Sequence, residues 1–314
     1  MDLPFGVVSL DGKFTAVAKP KGPYAQARGP LDHEYGLVGT ITSTLISAAA
    51  KPCLDAEPVI PLWGEETLFP EALSHLKKAY GALDLFRLVV YDAGACSRAN
   101  ARITCEEGLD YLFRVKQGKQ PRLHAASARV LGRRPLDAAD AVMEDRVSGK
   151  RVRRSVYLTE DEAVVTWPRW SKMRTVLRVL FEKFDGEGQV TETEDRYYVS
   201  SLAMDALTPR QWNLVTRGHW AVENNCHHTW DAVLKEDDRP WIVADSQGTL
   251  AVMLLRRIAY NILTLFRAVT LRSSANRLAR WRDICRWFYN AIIGSNDEQL
   301  AGLRQRRLAA VQRE

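Results

Sequence analysis

Two short apolar runs that each close on an aspartate constrain this chain most. "FGVVSLDGK" ends on Asp11-Gly12, and "LFRLVVYDAG" ends on Asp92, two residues before Gly94. The second run is apolar without alternation, the pattern of a strand covered on both faces, so helices must flank its sheet. The intervening "PEALSHLKKAYGAL" carries Leu73, Leu76, Ala79 and Leu83 at helical spacing, with Pro70 suited to a first turn. "EYGLVGTITSTLI" predicts a second strand with length for a third, and Pro52, Pro58 and Pro61 mark a loop after it. Beyond Asp92, Ser97 opens a helix that closes near Gly108, and "YLFRVK" returns to strand. Strand, helix, strand, helix, strand predicts an α/β sheet with crossovers.

From residue 125 to 205 the texture turns β-rich. "AVMEDRVSGKRVRRSVYL" reads as a hairpin around Ser148-Gly149, and "EAVVTW", "TVLRVLFEKF" and "DRYYVSSL" as further strands. After Pro209 the period is helical: Trp212, Val215, His219, Val222 and Cys226 form one stripe. "TLAVMLLRRIAYNILTLFRAV" predicts a long helix packing an apolar face on the body, and the chain ends in a helical pattern frayed at "LRQRRLAAVQRE". The expected division is 1–124, first part of the core; 125–205, a β-rich insertion returning to it; 206–268, core helices; and 269–314, a basic helical tail.

At 314 residues, 46% hydrophobic and 26% charged, the composition is that of a folded soluble protein and argues against global disorder. No apolar run reaches about 18 residues, and no basic stretch followed by an apolar one opens the chain, so a cytoplasmic protein without a membrane partner is expected. Cys53, Cys96, Cys105, Cys226 and Cys285 are scattered, with no C-x-x-C pair, which predicts free thiols. Twelve arginines and four acids beyond residue 250 give +8 there, against +6 for the whole chain. A basic end on a near-neutral body fits a polyanion, most simply nucleic acid, or a solvated helical face.

An aspartate leaving a strand is by itself an ordinary turn residue. Here two strands deliver one, each with a glycine close behind that lets a bound group approach, and Glu223 follows on a downstream helix. Three gathered carboxylates repel one another unless cations sit between them, and hard oxygen donors suit Mg²⁺ or Mn²⁺. Two such ions roughly 3.5 to 4 Å apart support in-line displacement at a phosphodiester.

The blocks "VVSLDGK", "VVYDAG" with "GLDYLFRVKQGKQ", and "YYVSSL" with "RGHWAVENNCHHTWDAVLKEDD" resemble the DDE transposases of bacterial insertion sequences, in the H-repeat-associated, ISAs-type group. The last block is the most specific, and the resemblance runs from Asp11 to about Ala268. It implies an RNase H-like core, a mixed sheet with flanking helices, in which Asp11, Asp92 and Glu223 are the catalytic ligands of two Mg²⁺ or Mn²⁺ ions. It also implies DNA cleavage at transposon ends, strand transfer into target DNA, and a homodimer in the DNA complex. Lys13, Arg217, His219, Asn224, His227, Asp231 and Asp238 match the family's blocks as groups that contact phosphate or orient the acids. Lys116 and Gln120 lie where the family often reads Lys-Gly-Asn-Gln, with Lys119 here in place of the Asn. Members carry about a hundred residues before the first catalytic strand, the size of a small domain. With Asp11 as the first acid, end-specific DNA binding is the activity expected to be missing.

Rival readings concern the same residues. His219, Glu223 and His227 at i, i+4 and i+8 would share a helix face and offer zinc ligands. The two histidines would lie roughly 12 Å apart, too far for one ion. Trp220, Trp230 and Trp241 are candidates for base stacking, Trp212 for the core. "SGKRVRRS" is either a basic tip along a DNA backbone or a solvated turn. Two alternatives to a transposase remain: a DNA-binding remnant without catalysis, and an RNase H-like nuclease without strand transfer.

Overall fold

The computed structural model describes residues 2–18, 21–27, 35–61, 63–271, 273–299 and 301–302. Among them, ten strands form one mixed sheet: β1 (Val7–Ala18), β2 (Gln26–Ala27), β3 (Tyr35–Leu45), β4 (Cys53–Pro58), β5 (Leu88–Tyr91), β6 (Asp110–Val115), β7 (Ala141–Val147), β8 (Lys150–Thr159), β9 (Thr175–Phe184) and β10 (Val190–Ser200). The α-helices are α1 (Glu65–Tyr80), α2 (Arg98–Glu106), α3 (Pro121–Leu131), α4 (Glu162–Val165), α5 (Pro209–Ala221), α6 (Ser246–Leu265), α7 (Ser274–Arg277) and α8 (Trp281–Ile293).

The strand order is β2-β3-β1-β5-β6-β10-β9-β8-β7, with β4 also paired to β3. β3 is antiparallel to β1 and β4, whereas β1, β5 and β6 run parallel. The five strands β4-β3-β1-β5-β6, in those directions, have the arrangement of an RNase H-like core, and the expected α/β class holds. The β-rich segment extends the same sheet through the antiparallel β6–β10 pair.

Unbroken apolar runs arise because both faces are covered. Val8, Val89 and Tyr91 join a cluster with Leu68 and Phe69 of α1, Ala101 of α2 and Leu123 of α3. Val7, Leu88 and Val90 point the other way, into a cluster with Leu112, Trp212, Val215, Val222 and Trp230. The stripe Trp212, Val215, His219, Val222, Cys226 is buried throughout.

Several local expectations are corrected. Asp11 does not end its strand: β1 runs on to Ala18, with every residue from Val8 paired to β3. "EYGLVGTITSTLI" yields one strand, and the proline-bounded segment after it holds β4, which exists through pairing with β3. Helix α1 starts at Glu65, so Pro70 lies inside it. The Glu66 carbonyl that a proline leaves without an amide accepts from Asn100 Nδ2 at 3.1 Å instead. "EAVVTW" contains a turn of helix, α4, whose cap Asp161 accepts from the Ala163 amide at 2.8 Å. Helix α3 occupies the start of the segment expected to be β-rich.

Other expectations stand. Ser97 caps α2 by accepting from Asn100 N–H, and all five cysteines are free. Ser148 and Gly149 turn the β7–β8 hairpin with φ of 50° and 80°, the backbone a primed two-residue turn requires. The apolar-run reading needs amendment: the helical run Ser246–Thr270 is long and apolar enough to cross a membrane by length and composition, although half of it is buried in the body. Arg272 and residues 303–314, with Arg304, Arg306, Arg307 and Arg313, lie outside the described residues.

Candidate active site

β1 and β5 pair in parallel register through Val7–Leu88, Val8–Val89 and Ser9–Val90. Two residues past the Ser9–Val90 pair stand Asp11, within β1, and Asp92, just beyond the end of β5, so both acids lie toward the same end of two strands spaced about 4.8 Å. Both follow the alternation of Val7 and Val90, which places them on the α5 face. Helix α5 crosses that face and continues as a π-helical segment, Val222–His227. Such segments widen a helix by one residue per turn and recur at functional sites. With His219, Val222 and Cys226 buried, Glu223 falls on the exposed rim of the helix.

Each acid has a distinct set of partners. Asp11 Oδ2 lies 3.5 Å from His227 Nδ1, whose Nε2 meets Thr42 Oγ1 at 3.2 Å. Asp92 accepts from the Gly94 amide and, at 3.3 Å, from Lys116 Nζ. Burial works to raise the Asp92 carboxyl, but the Gly94 amide and the Lys116 charge outweigh it and hold it below the usual carboxylate range. Glu223 moves the opposite way, raised by burial and then by the Asp92 charge, against Lys116 and Arg114. Asp92 and Glu223 therefore feel one another across the helix–sheet junction.

Two histidines bracket the site from beneath. His219 Nδ1 is 2.7 Å from Ser9 Oγ on β1. Burial pushes His219 down to about 4 and His227 down to about 3, so both are neutral at neutral pH and act as hydrogen-bonding supports rather than cations. With His227 engaged by Asp11 and Thr42 and His219 by Ser9, the pair does not assemble as a zinc site with Glu223.

The remaining candidates separate. Lys13 is buried and ion-paired to Asp231 at 3.0 Å and to Asp237 at 2.9 Å, a closed cluster beside Thr15. Asp237 was missed; its neighbour Asp238 instead pairs on the surface with Lys235 at 3.2 Å. Gln120 ties its loop to the Cys96 carbonyl at 2.9 Å. Lys119 and Asn224 are exposed. Trp230 is fully buried and Trp241 is 74% exposed, so Trp230 belongs to the core and is no platform for a base.

Trp220 introduces a feature that the sequence reading also missed. Its ring lies 5.7 Å from the Arg114 guanidinium and 5.0 Å from that of Arg196; the Phe181 ring lies 5.4 Å from both Arg196 and Arg154. Arg114, Arg196 and Arg154 stand on β6, β10 and β8, on the face that carries Asp92. Glu194 pairs with Arg114 and Arg196, and Asp145 with Arg154 and Arg217, so four arginines share two acids. The available signal was the alternation of Arg114 and Lys116 along one strand.

A group of metal-ligating types whose ligand atoms lie close together is found elsewhere. Asp55 and Glu57 of β4 and His75 of α1 bring ligand atoms within 4.8 Å of one another, and His75 Nδ1 meets Glu57 Oε2 at 2.5 Å. The bond to Glu57 raises the exposed His75, which makes the group complete as an ion pair.

No family model matches the chain. Two curated proteins of Escherichia coli (strain K12) are similar to it, the "H repeat-associated putative transposase YhhI" and the "Putative protein YbfL". Each is 29% identical over 187 residues, 57% of this chain and 47% of the relative. The chain thus spans about half the length of the curated relatives it matches, and the resemblance to the H-repeat-associated group holds in these comparisons. A cryo-EM structure of a piggyBac transposase synaptic complex with hairpin DNA overlaps 92% of this chain and 52% of that one, at 13% identity and a TM-score of 0.47.

Proposed function

We propose that this chain carries the catalytic core of a DDE transposase, acting on DNA by metal-dependent phosphodiester cleavage and strand transfer. The observation that carries the reading is that Asp11 and Asp92 lie two residues past the paired Ser9 and Val90 of parallel β1 and β5, with Glu223 on the helix that crosses this face and raised by burial and by the Asp92 charge. The similarity of more than half the chain to an H-repeat-associated transposase supports it.

The donor set fits the metal this chemistry uses. Three carboxylates, one of them raised by burial and then by the charge of another, are hard oxygen ligands that gain from a shared cation. Asp11, Asp92 and Glu223 would hold two Mg²⁺ or Mn²⁺ ions. Bound there, the ions would supply Lewis acidity that activates water or a 3′-hydroxyl and stabilises the leaving oxygen. The chain's own groups prepare that donor set. Lys116 and the Gly94 amide keep Asp92 ionised and aimed, and His227, braced by Thr42, orients Asp11. Lys116, Arg217 and the exposed Lys119 would meet backbone phosphate, with the Arg114–Trp220–Arg196 stack behind them. Working on two transposon ends would require two copies on the DNA.

The test is a Mg²⁺- or Mn²⁺-dependent cleavage and strand-transfer assay on DNA carrying the element's inverted repeats, with binding measured in parallel. Asp92→Asn should abolish cleavage and leave DNA binding within a few-fold of wild type. Cleavage that survives in Asp92→Asn would overturn the reading, and cleavage without joining of the 3′-hydroxyl would reassign the chain as a nuclease.

A further inference from the structure

Between Asp110 and Asp137 the chain carries seven lysines and arginines and no acid. Arg114 and Lys116 belong to the candidate site, and Arg134 lies 3.5 Å from Asp140. That leaves Lys119, Arg122, Arg129 and Arg133, all exposed, and none of them forms an ion pair among the described residues. Helix α3 sets them in a row. Its Leu123, Ala126, Ser127 and Leu131 are buried against the body, so Arg122, Ala125 and Arg129 share the exposed face at steps of three and four, and Arg133 follows four residues later.

Local physics does not favour this row. The free amides of a helix's first turn attract acids, yet α3 has none there and places Arg122 in that turn without a side-chain cap. Elsewhere on the sheet the chain compensates its own arginines: Arg153 pairs with Glu182, Arg178 with Asp195 and Arg196 with Glu194. Cations left without acids where they cost stability point to a polyanion supplied from outside. The row also starts at the candidate site. Lys116 lies 3.3 Å from Asp92, and the loop from it to α3 is fixed by the Lys119 and Gln120 amides, which donate to the Lys116 carbonyl at 3.1 and 2.8 Å, and by Gln120 Nε2 on the Cys96 carbonyl.

We infer that α3 is a track for the sugar-phosphate backbone of DNA leading away from the candidate site, with Arg122, Arg129 and Arg133 each meeting phosphate beyond Lys119. This rests on the DNA-acting reading above and adds a surface to it. Leu123 and Leu131 pack α3 on the sheet face opposite the Arg114–Trp220–Arg196 stack, so the track passes over the rim at Lys116 and Lys119. From Arg122 to Arg133 it is about 16 Å long at 1.5 Å per residue, the reach of roughly five nucleotides of one strand at 3.4 Å each. Phosphate contacts carry no base information, so the track holds all sequences alike.

Binding of the full chain to a random-sequence duplex of about 30 base pairs, followed across a salt series, tests the track. Arg122→Gln/Arg129→Gln/Arg133→Gln should lower the slope of log affinity against log salt by about 2 to 3 and weaken binding at least about tenfold at low salt. Arg122→Lys/Arg129→Lys/Arg133→Lys keeps the charges and should hold the slope to within about one of wild type. All three side chains face solvent, so circular dichroism and thermal midpoint should be unchanged in both variants. A glutamine variant that binds the duplex with the wild-type slope would overturn the track and leave the transposase reading standing, as would an equal loss in the lysine variant. A wild-type chain that binds no duplex at any salt would overturn both.

Discussion

His219 and His227 sit neutral against β1, at Ser9 and Asp11, and their burial makes this region sensitive to acid. An unfolded histidine takes up its proton near pH 6.5, whereas folding pushes His219 down to about 4 and His227 to about 3. Between those values the unfolded state binds more protons. Stability is thus full above about pH 6.5, falls as the pH drops toward about 4, and levels off only when the folded histidines also protonate. Chemical denaturation at steps from about pH 7 to about pH 4.5 should record that decline, and His219→Gln should reduce it; an identical slope in the variant would remove His219 as a cause. At this scale the candidate acids were legible as residue types. Asp11, Asp92 and Glu223 stood out because a carboxylate beside an apolar run is chemically conspicuous. The choice between Asp237 and Asp238 was not legible, because which of two adjacent acids turns inward depends on Lys13, more than two hundred residues away.

Helix α6 shows what elements add. It is anchored by Arg257, whose guanidinium meets the fully buried Glu236 and lies 4.0 Å from the Trp230 ring. Arg257→Leu would remove the ion-pair partner of the buried Glu236, a loss on the order of 3 to 5 kcal/mol. Denaturant titration should show it, and Glu236→Gln added to Arg257→Leu should restore a large part; no loss in the single variant would mean that the pair is not holding the helix. The helix itself followed from periodicity, as did the buried stripe of α5. Short elements were harder. "EAVVTW" has β-branched composition yet forms a helical turn because Asp161 caps it. β4 looks like a proline-bounded loop because its extended shape depends on β3. Pro70 suggested a helix start, but Asn100 compensates for it from another helix.

On the scale of the whole molecule, one sheet joins the candidate active site to the β-rich segment. From β5 to β8 it spans about 19 Å, four strand spacings, and the Arg114–Trp220–Arg196–Phe181–Arg154 row lies along that width. If this row follows a DNA backbone, Arg196→Gln should weaken binding to all sequences alike and reduce the slope of log affinity against log salt by about one. An unchanged slope would confine the row to holding the fold. Strand–helix alternation made the core legible, but continuity of core and β-rich segment was not, since it rests on the long-range β6–β10 pairing.

The central claim is that Asp11, Asp92 and Glu223 form the metal-binding centre, and Mn²⁺ binding followed by electron paramagnetic resonance in the presence of DNA tests it most directly. Wild type and a variant of the other acidic group, Asp55→Asn/Glu57→Gln, should bind Mn²⁺ alike, while Asp92→Asn and Glu223→Gln should each lose most of it. Binding that persists in both single variants and disappears in Asp55→Asn/Glu57→Gln would contradict the account and move the metal to the β4–α1 edge.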